Sequence, residues 1–206
     1  MDFIGVWQDN EVEEAARYGA KPGYPKYRDI YNKEGNPAGI NLNDDRYIIS
    51  RDPKWIGSLN TSLAWRNFDF YMSLQTRQGV NAVSETHKQS NDDPVRYIGF
   101  SGNYWTPENK SNEHPAPAIK GTYTELGNSD YFVKDISFVR ISNISLGYTL
   151  PESFIDKLKI QKAKVYVNIN NPFVFTPFDG QDPQAGIDKR SYPAVTSYQL
   201  GINLNF

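Results

Sequence analysis

The sequence contains no cysteine, which excludes disulfides, thiol nucleophiles and zinc sites with cysteine ligands. It also lacks a run of about 18 apolar residues, so we expect no transmembrane helix. Charges nearly balance, with 22 lysines and arginines against 24 aspartates and glutamates. This balance excludes a general nucleic-acid binder that works by neutralising phosphates. The first residues, 1–7, have neither the basic nor the apolar segment of a signal peptide.

Apolar residues are scarce as well, at 38% of the 206 residues, where soluble domains usually have about 45–50%. Aromatic residues, in contrast, reach 14%. Disordered chains are poor in aromatic residues, whereas β-strands are enriched in them. The composition therefore predicts a protein built from β-strands that are joined by long polar loops.

Apolar and polar residues alternate over several long stretches, which is the pattern of a strand with two different faces. The predicted strands cover residues 54–65, 68–77, 134–150, 163–173 and 198–206. Arg66 and Asn67 predict a tight turn between the first two strands. Val139 and Ile141 break the alternation of the third, which predicts a β-bulge near Arg140.

The remaining sequence is predicted to be mostly loop. Residues 1–53 are interpreted as an extracellular loop region with one short helix, which Asp9 or Asn10 caps and Gly19 ends. Residues 54–206 are interpreted as the strand region, with long loops at 78–133 and 175–195. An irregular loop as long as the first of these is uncommon in a compact soluble domain.

The strands and loops together favour a transmembrane β-barrel. Membrane strands need about 9–11 residues, alternate between apolar and polar positions, and have short turns at one end and long loops at the other. Aromatic residues near the strand ends suit the two girdles at the membrane surfaces: Trp55, Trp65, Tyr148, Phe173 and Tyr198. A soluble antiparallel sheet with decorated loops is the alternative that periodicity alone leaves open.

The last residues of the chain also favour the outer membrane. They place apolar side chains at alternate positions and end on an aromatic residue: Tyr198, Leu200, Ile202, Leu204 and Phe206. This arrangement looks like the signal that the outer-membrane assembly machinery reads. We therefore expect the chain in the cell outer membrane.

Four stretches of the last third resemble motifs of the SusC/RagA-type TonB-dependent outer-membrane transporters of Bacteroidetes. They are FVRISNISLGYTLP at 138–151, VYVNINNPF at 165–173, GQDPQ at 180–184 and LGINLNF at 200–206. Further matches are GVWQ at 5–8, NFDF at 67–70 and YWTPEN at 104–109. The resemblance therefore extends over essentially the whole chain.

The resemblance implies part of a 22-stranded barrel that encloses a plug and imports glycans or peptides with energy delivered through TonB. It also implies a SusD-like surface lipoprotein as partner, together with the assembly machinery and the lipid bilayer. Plug and TonB-contacting segment have no counterpart here, so we expect a C-terminal fragment that meets TonB only through missing N-terminal parts.

Several loop residues are candidates for contact with a substrate or a partner protein. The rings of Tyr104, Trp105 and Tyr192 could stack on a sugar or anchor a protein, or Trp105 could pack its loop onto the barrel rim. Asp182 could contact a ligand, although its position before Pro183 favours a turn. We expect no cofactor and no catalytic residues, since the sequence has no nucleophile elbow, P-loop or GxGxxG motif.

One loop resembles a calcium-like loop of the same family. It retains potential oxygen ligands: Asp29, Asn32, Glu34, Asn43 and Asp45. Inserted residues spoil the spacing that calcium requires, so we expect a solvated polar loop and no bound metal.

A second hypothesis is a soluble β-sheet module whose loops bind carbohydrate. The exposed apolar stripe that includes Phe68, Leu74 and Leu204 argues against it, because such a stripe would aggregate in water. An enzyme ranks last, because no catalytic constellation is present.

Overall fold

The computed structural model describes residues 1–30, 39–40, 43, 45–46, 48–85, 103–117, 123, 126–155, 160–185 and 192–206. The strands in these residues are β1 (Phe3–Val6), β2 (Pro25–Tyr27), β3 (Trp55–Trp65), β4 (Phe68–Gln78), β5 (Asn81–Val83), β6 (Val133–Asp135), β7 (Phe138–Thr149), β8 (Lys162–Phe175) and β9 (Ser197–Asn205). The helices are α1 (Val12–Arg17) and α2 (Glu152–Ile155). No described helix has the length and apolar character needed to cross a membrane.

The chain divides into two compact units. One consists of residues 1–49 and 83–134 and is called the loop unit below. The other consists of residues 50–82 and 135–206 and is called the sheet unit. In the loop unit, β1 pairs with β2. A second two-stranded sheet pairs β5 with β6.

The sheet unit is built on five long strands in the order β3-β4-β7-β8-β9. Every neighbouring pair in this sheet is antiparallel. This confirms the predicted antiparallel sheet of about five long strands, with boundaries that differ from the prediction by a few residues. The alternation was a reliable guide because each long strand has two different environments on its two faces.

The hairpin between β3 and β4 turns over two residues, since Trp65 pairs with Phe68. Arg66 takes the left-handed conformation at φ +53° that such a tight hairpin requires. This confirms the short connection expected at Arg66 and Asn67.

The β-bulge of the third predicted strand lies two residues beyond the predicted position. Register in β7 skips Ser142 against both of its neighbours. On the β8 side the partner segment contains Asn171, at φ +48°, and Pro172. Proline cannot donate a ladder hydrogen bond, so the irregularity is fixed by β8 as much as by β7.

The cap lies one residue earlier than expected, at Gln8 instead of Asp9 or Asn10, because a 3₁₀ turn precedes the short helix of the loop unit. The N–H of Gln8 donates to the Glu11 carboxylate at 3.0 Å, and the N–H of Glu11 donates to the Gln8 carbonyl at 3.0 Å. A 3₁₀ turn at Asp9–Glu11 then leads into α1. Gly19, at φ +66°, ends the helix as predicted.

Trp105 is a buried residue of the loop unit that contacts several distant segments of the chain. Its side chain is buried, and its indole N–H donates to the Gln8 side-chain oxygen at 3.1 Å. The backbone of Gly23, at φ +87°, passes so close that an added Cβ would lie 2.7 Å from the indole ring. Trp105 therefore requires a glycine at position 23.

We predict that Gly23→Ala destabilises the chain more than Gly19→Ala. Both glycines have positive φ, which costs a residue with a Cβ about 1–2 kcal/mol. A Cβ at Gly19 would meet no atom within 4 Å, whereas one at Gly23 would clash with Trp105, which adds about 1–3 kcal/mol. Denaturant unfolding followed by tryptophan fluorescence measures both variants, and equal losses would contradict this role of Trp105.

Candidate functional site

The five-stranded sheet has one apolar and one polar face. A row across the apolar face consists of Leu63, Phe70, Leu146, Val167 and Leu200. The adjacent row on the polar face consists of Ser62, Tyr71, Ser145, Asn168 and Gln199. Because facing residues of neighbouring strands share a face, the alternation of each strand adds up to two continuous surfaces.

The apolar face is exposed over most of its area. Leu63 is 59% exposed, Leu146 50% and Leu200 77%, although they belong to an edge strand, the central strand and the other edge strand. The cluster of buried apolar residues in this unit lies elsewhere and is small: Val80, Ala82, Ile136 and Phe178. An uncovered apolar surface of several strands marks a site of contact with protein or membrane.

Aromatic side chains stand at both ends of this face. At the end of the sheet where the β3–β4 turn lies, Trp65 is exposed. The rings of Phe68 and Tyr148 pack there at 4.6 Å between centroids. At the opposite ends of their strands, Trp55 and Phe173 are also exposed. Two aromatic rims around an apolar band are typical of membrane strands.

The middle of the polar face carries a network of uncharged amides. The Asn143 amide donates to the side-chain oxygens of Asn168 at 2.7 Å and Asn170 at 2.8 Å. Asn168 in turn donates to Gln199 at 3.2 Å. The network links β7, β8 and β9 on a surface suited to water and polar solutes.

One ion pair lies on the polar face near the β3–β4 turn. The Lys164 ammonium donates to the Asp69 carboxylate at 2.7 Å, across the backbone of Gly147. A Cβ on Gly147 would lie 2.3 Å from the Lys164 side chain, so the glycine makes room for the pair. Both partners keep contact with solvent, and such pairs contribute only about 0–1 kcal/mol to stability.

A second ion pair is buried and holds the loop between β8 and β9. The Arg140 guanidinium of β7 donates to Asp182 at 2.8 Å, and both side chains are almost fully buried. The same carboxylate accepts the N–H groups of Gln184 and Ala194, each at 2.8 Å. Asp182 therefore ties both ends of residues 182–194 to the sheet.

The hydrogen bonds and the ion pair of Asp182 stabilise the charged form of its carboxylate. Burial alone would raise its pKa, but the N–H groups of Ala194 and Gln184 and the Arg140 guanidinium hold the pKa below its usual value. Sequence reasoning missed this pair because its members lie far apart in the chain. An arginine between the apolar Val139 and Ile141 of a strand was the available signal.

We predict that Asp182→Asn costs about 3–5 kcal/mol, because it leaves the buried Arg140 without a counter-charge. The matched variant Asp69→Asn breaks the solvent-accessible pair and should cost about 0–1 kcal/mol. Denaturant unfolding in detergent micelles measures the unfolding free energy of both variants. Similar losses of stability would show that the buried Arg140–Asp182 pair contributes no more than the solvent-accessible pair.

The Asp182→Asn effect should also depend on pH. A lowered pKa in the folded state contributes stability that is present above the unfolded aspartate pKa, about 3.9. This stability is lost as pH falls through the lower folded value. The difference in unfolding free energy between the native chain and Asp182→Asn should therefore narrow below about pH 4.

The other contact candidates are placed differently. Tyr104 bridges to His114 in a short parallel pairing, with their rings 5.5 Å apart. Tyr192 of the sheet unit is 92% exposed, whereas Trp105 is buried. A contact of these residues with a substrate or partner stays a prediction.

Three residues of the calcium-like loop are described, namely Asp29, Asn43 and Asp45, while Asn32 and Glu34 lie outside the described residues. The N–H of Ile30 donates to Asp45 at 2.7 Å. Burial and the neighbouring Asp45 carboxylate raise the pKa of Asp29. Within the described residues no three potential metal ligands converge, and the expected solvated loop stays a prediction.

Relatives with curated names match the chain over most or all of its length. The TonB-dependent receptor P3 of Formosa agariphila is 28% identical over the whole chain and 21% of its own length. The TonB-dependent receptor SusC of Bacteroides thetaiotaomicron is 32% identical over 87% of the chain and 19% of its own length. The chain thus spans about a fifth of these relatives. No family model matches.

The chain also has the same fold as part of several solved structures. The RagAB peptide transporter superposes with a TM-score of 0.73 at 19% identity, over the whole chain and 22% of its own. The same assembly in its open-open state gives a TM-score of 0.70. The chain belongs to the SusC/RagA family of TonB-dependent receptors. This confirms the expected family and, because these receptors are outer-membrane proteins, the expected location.

These receptors are transporters and not enzymes, which agrees with the expectation from the sequence. In a SusC/RagA-type receptor, an apolar face with aromatic rims is the surface that meets lipid. The terminal residues Tyr198, Leu200, Ile202, Leu204 and Phe206 are exposed at the edge of this face. Their role as an assembly signal stays a prediction.

Proposed function

We propose that the chain forms part of the barrel wall of an outer-membrane transporter that takes up a nutrient, a glycan or a peptide. The observation that carries the proposal is the exposed apolar face, continuous over five strands and edged by aromatic rings. The opposite face, with its amide network and its Asp69–Lys164 pair, suits a water-filled or plug-filled interior.

The outer edges of β3 and β9 support a larger barrel. Among the described strands, none pairs with the free edge of β3 or of β9. Unpaired backbone groups are too costly in the hydrocarbon region, so a sheet in a membrane has to close. In our proposal, strands beyond those described complete the barrel.

The proposal also includes a partner and an energy source. The structural neighbours are assemblies named RagAB, which supports a SusD-like lipoprotein as partner on the extracellular side. In our proposal, the β8–β9 loop that Asp182 holds faces that side, because it leaves the sheet at the ends opposite the β3–β4 turn. TonB would supply energy through segments outside this chain.

We predict that Leu59→Arg removes the chain from the outer-membrane fraction, whereas Asn60→Arg leaves it there. The two positions are adjacent in β3 but belong to opposite faces, since Leu59 pairs with Leu74 and Asn60 with Ser73. Arginine on a lipid-facing position costs about 2–4 kcal/mol near the membrane centre. On the polar face it meets water.

Fractionation of cells that produce each variant, followed by quantitative blotting, measures the outcome. Equal membrane yields for the two variants would contradict the assignment of faces. A native chain that is monodisperse in buffer without detergent, and absent from the outer membrane, would instead support the soluble carbohydrate-binding module.

A further inference from the structure

Aromatic side chains line a cavity of about 300 Å³ within the loop unit. They come from the segment around α1 and β2 and from one residue far along the chain: Trp7, Tyr18, Tyr24, Tyr27 and Tyr123. Ligand pockets in proteins usually measure about 300–1,000 Å³. The cavity is therefore at the lower end of the range and suits one ring.

The rings are held in place by one another. Trp7 stacks on Tyr18 at 5.7 Å between centroids, and Tyr24 meets Tyr123 edge to face at 5.2 Å. The Tyr123 hydroxyl donates to the Ala116 carbonyl at 2.9 Å, and burial raises its pKa to about 12. Such mutual packing fixes the lining before a ligand arrives and reduces the entropy cost of binding.

No charged side chain belongs to the lining among the described residues. The lining that is not aromatic consists of glycine, alanine, proline and isoleucine. Lys21 and Lys26 lie over the rings of Tyr24 and Trp7, but neither lines the cavity. Among the described residues the lining supplies no opposite charge to replace the hydration that a charged ligand would lose, so this part of the lining favours a neutral ligand.

We propose that this cavity binds a single neutral pyranose ring of a glycan. A pyranose has an apolar C–H face that packs on an aromatic ring and hydroxyls around its edge. Tyrosine supplies both partners, a flat ring and a hydroxyl that donates and accepts hydrogen bonds. Gly19 and Gly39 border the cavity with their backbone, because they have no side chain, and their carbonyl groups can accept further hydrogen bonds. The inference rests on the proposed uptake function and narrows its substrate to a glycan.

Two variants in which an alanine is replaced by phenylalanine test the cavity and leave its aromatic lining residues in place. Ala20 lines the cavity, so Ala20→Phe fills it. Ala16 is exposed on α1 and does not line it, so Ala16→Phe is the matched control. The full chain is prepared in a zwitterionic detergent, because glucoside and maltoside detergents would compete for the site. Near-UV circular dichroism confirms that both variants keep the native fold.

Saturation-transfer NMR then measures contact with methyl β-glucopyranoside. We expect transfer to the protons of the sugar ring for the native chain and for Ala16→Phe, and its loss for Ala20→Phe. The negatively charged methyl glucuronide should give no transfer. Absence of transfer from the native chain, or equal transfer with Ala20→Phe, would overturn the proposal. Transfer to phenylalanine amide that the glucoside does not displace would overturn it in favour of a peptide side chain.

The binding result is separable from the proposed function. A chain that resides in the outer membrane but gives no sugar signal contradicts the glycan site alone. A chain that binds the sugar but is absent from the outer-membrane fraction contradicts the transport role alone.

Discussion

The antiparallel register of the five-stranded sheet is the constraint on which the rest of the structure depends. A shift of one residue between neighbouring strands would move a strand's apolar side chains to the opposite face. The observed register instead aligns Leu63 of β3 with Leu200 of β9 through three intervening strands. The same register assembles the amides of Asn143, Asn168 and Asn170 and brings Lys164 to Asp69. The separation of the apolar from the polar face therefore follows from this pairing and from the alternation within each strand.

Much of this sheet could be predicted from the sequence, because its signal is local. Alternation is visible within each strand, and Arg66 and Asn67 mark a hairpin without reference to distant residues. The position of the bulge could not be predicted as well. The disturbed alternation around Arg140 is local, but the skipped residue is Ser142, because Asn171 and Pro172 of the neighbouring strand determine where pairing resumes.

The loop contacts were also harder to predict, because they too depend on residues that are distant in the sequence. The sequence indicated that Asp182 belongs to a turn or a ligand site, and nothing in its vicinity identified Arg140 as its partner. Trp105 was recognised as a candidate, but its burial depends on Gly23, which a distant segment contributes. The aromatic cavity likewise requires Tyr123 to meet Tyr24, and only the folded chain brings them together. Long-range pairs of this kind have no periodic signature.

The two-residue hairpin at Arg66 has a further consequence for the order in which the sheet assembles. Hairpin contacts between β3 and β4 join residues close in sequence and form within about 1–10 μs. The next pairing, of β4 with β7, must first bring together the two ends of residues 79–137, and loop closure of that length carries an entropic cost. The β3–β4 hairpin is therefore expected to form before β4 pairs with β7, and the long insertion between these two strands slows their pairing.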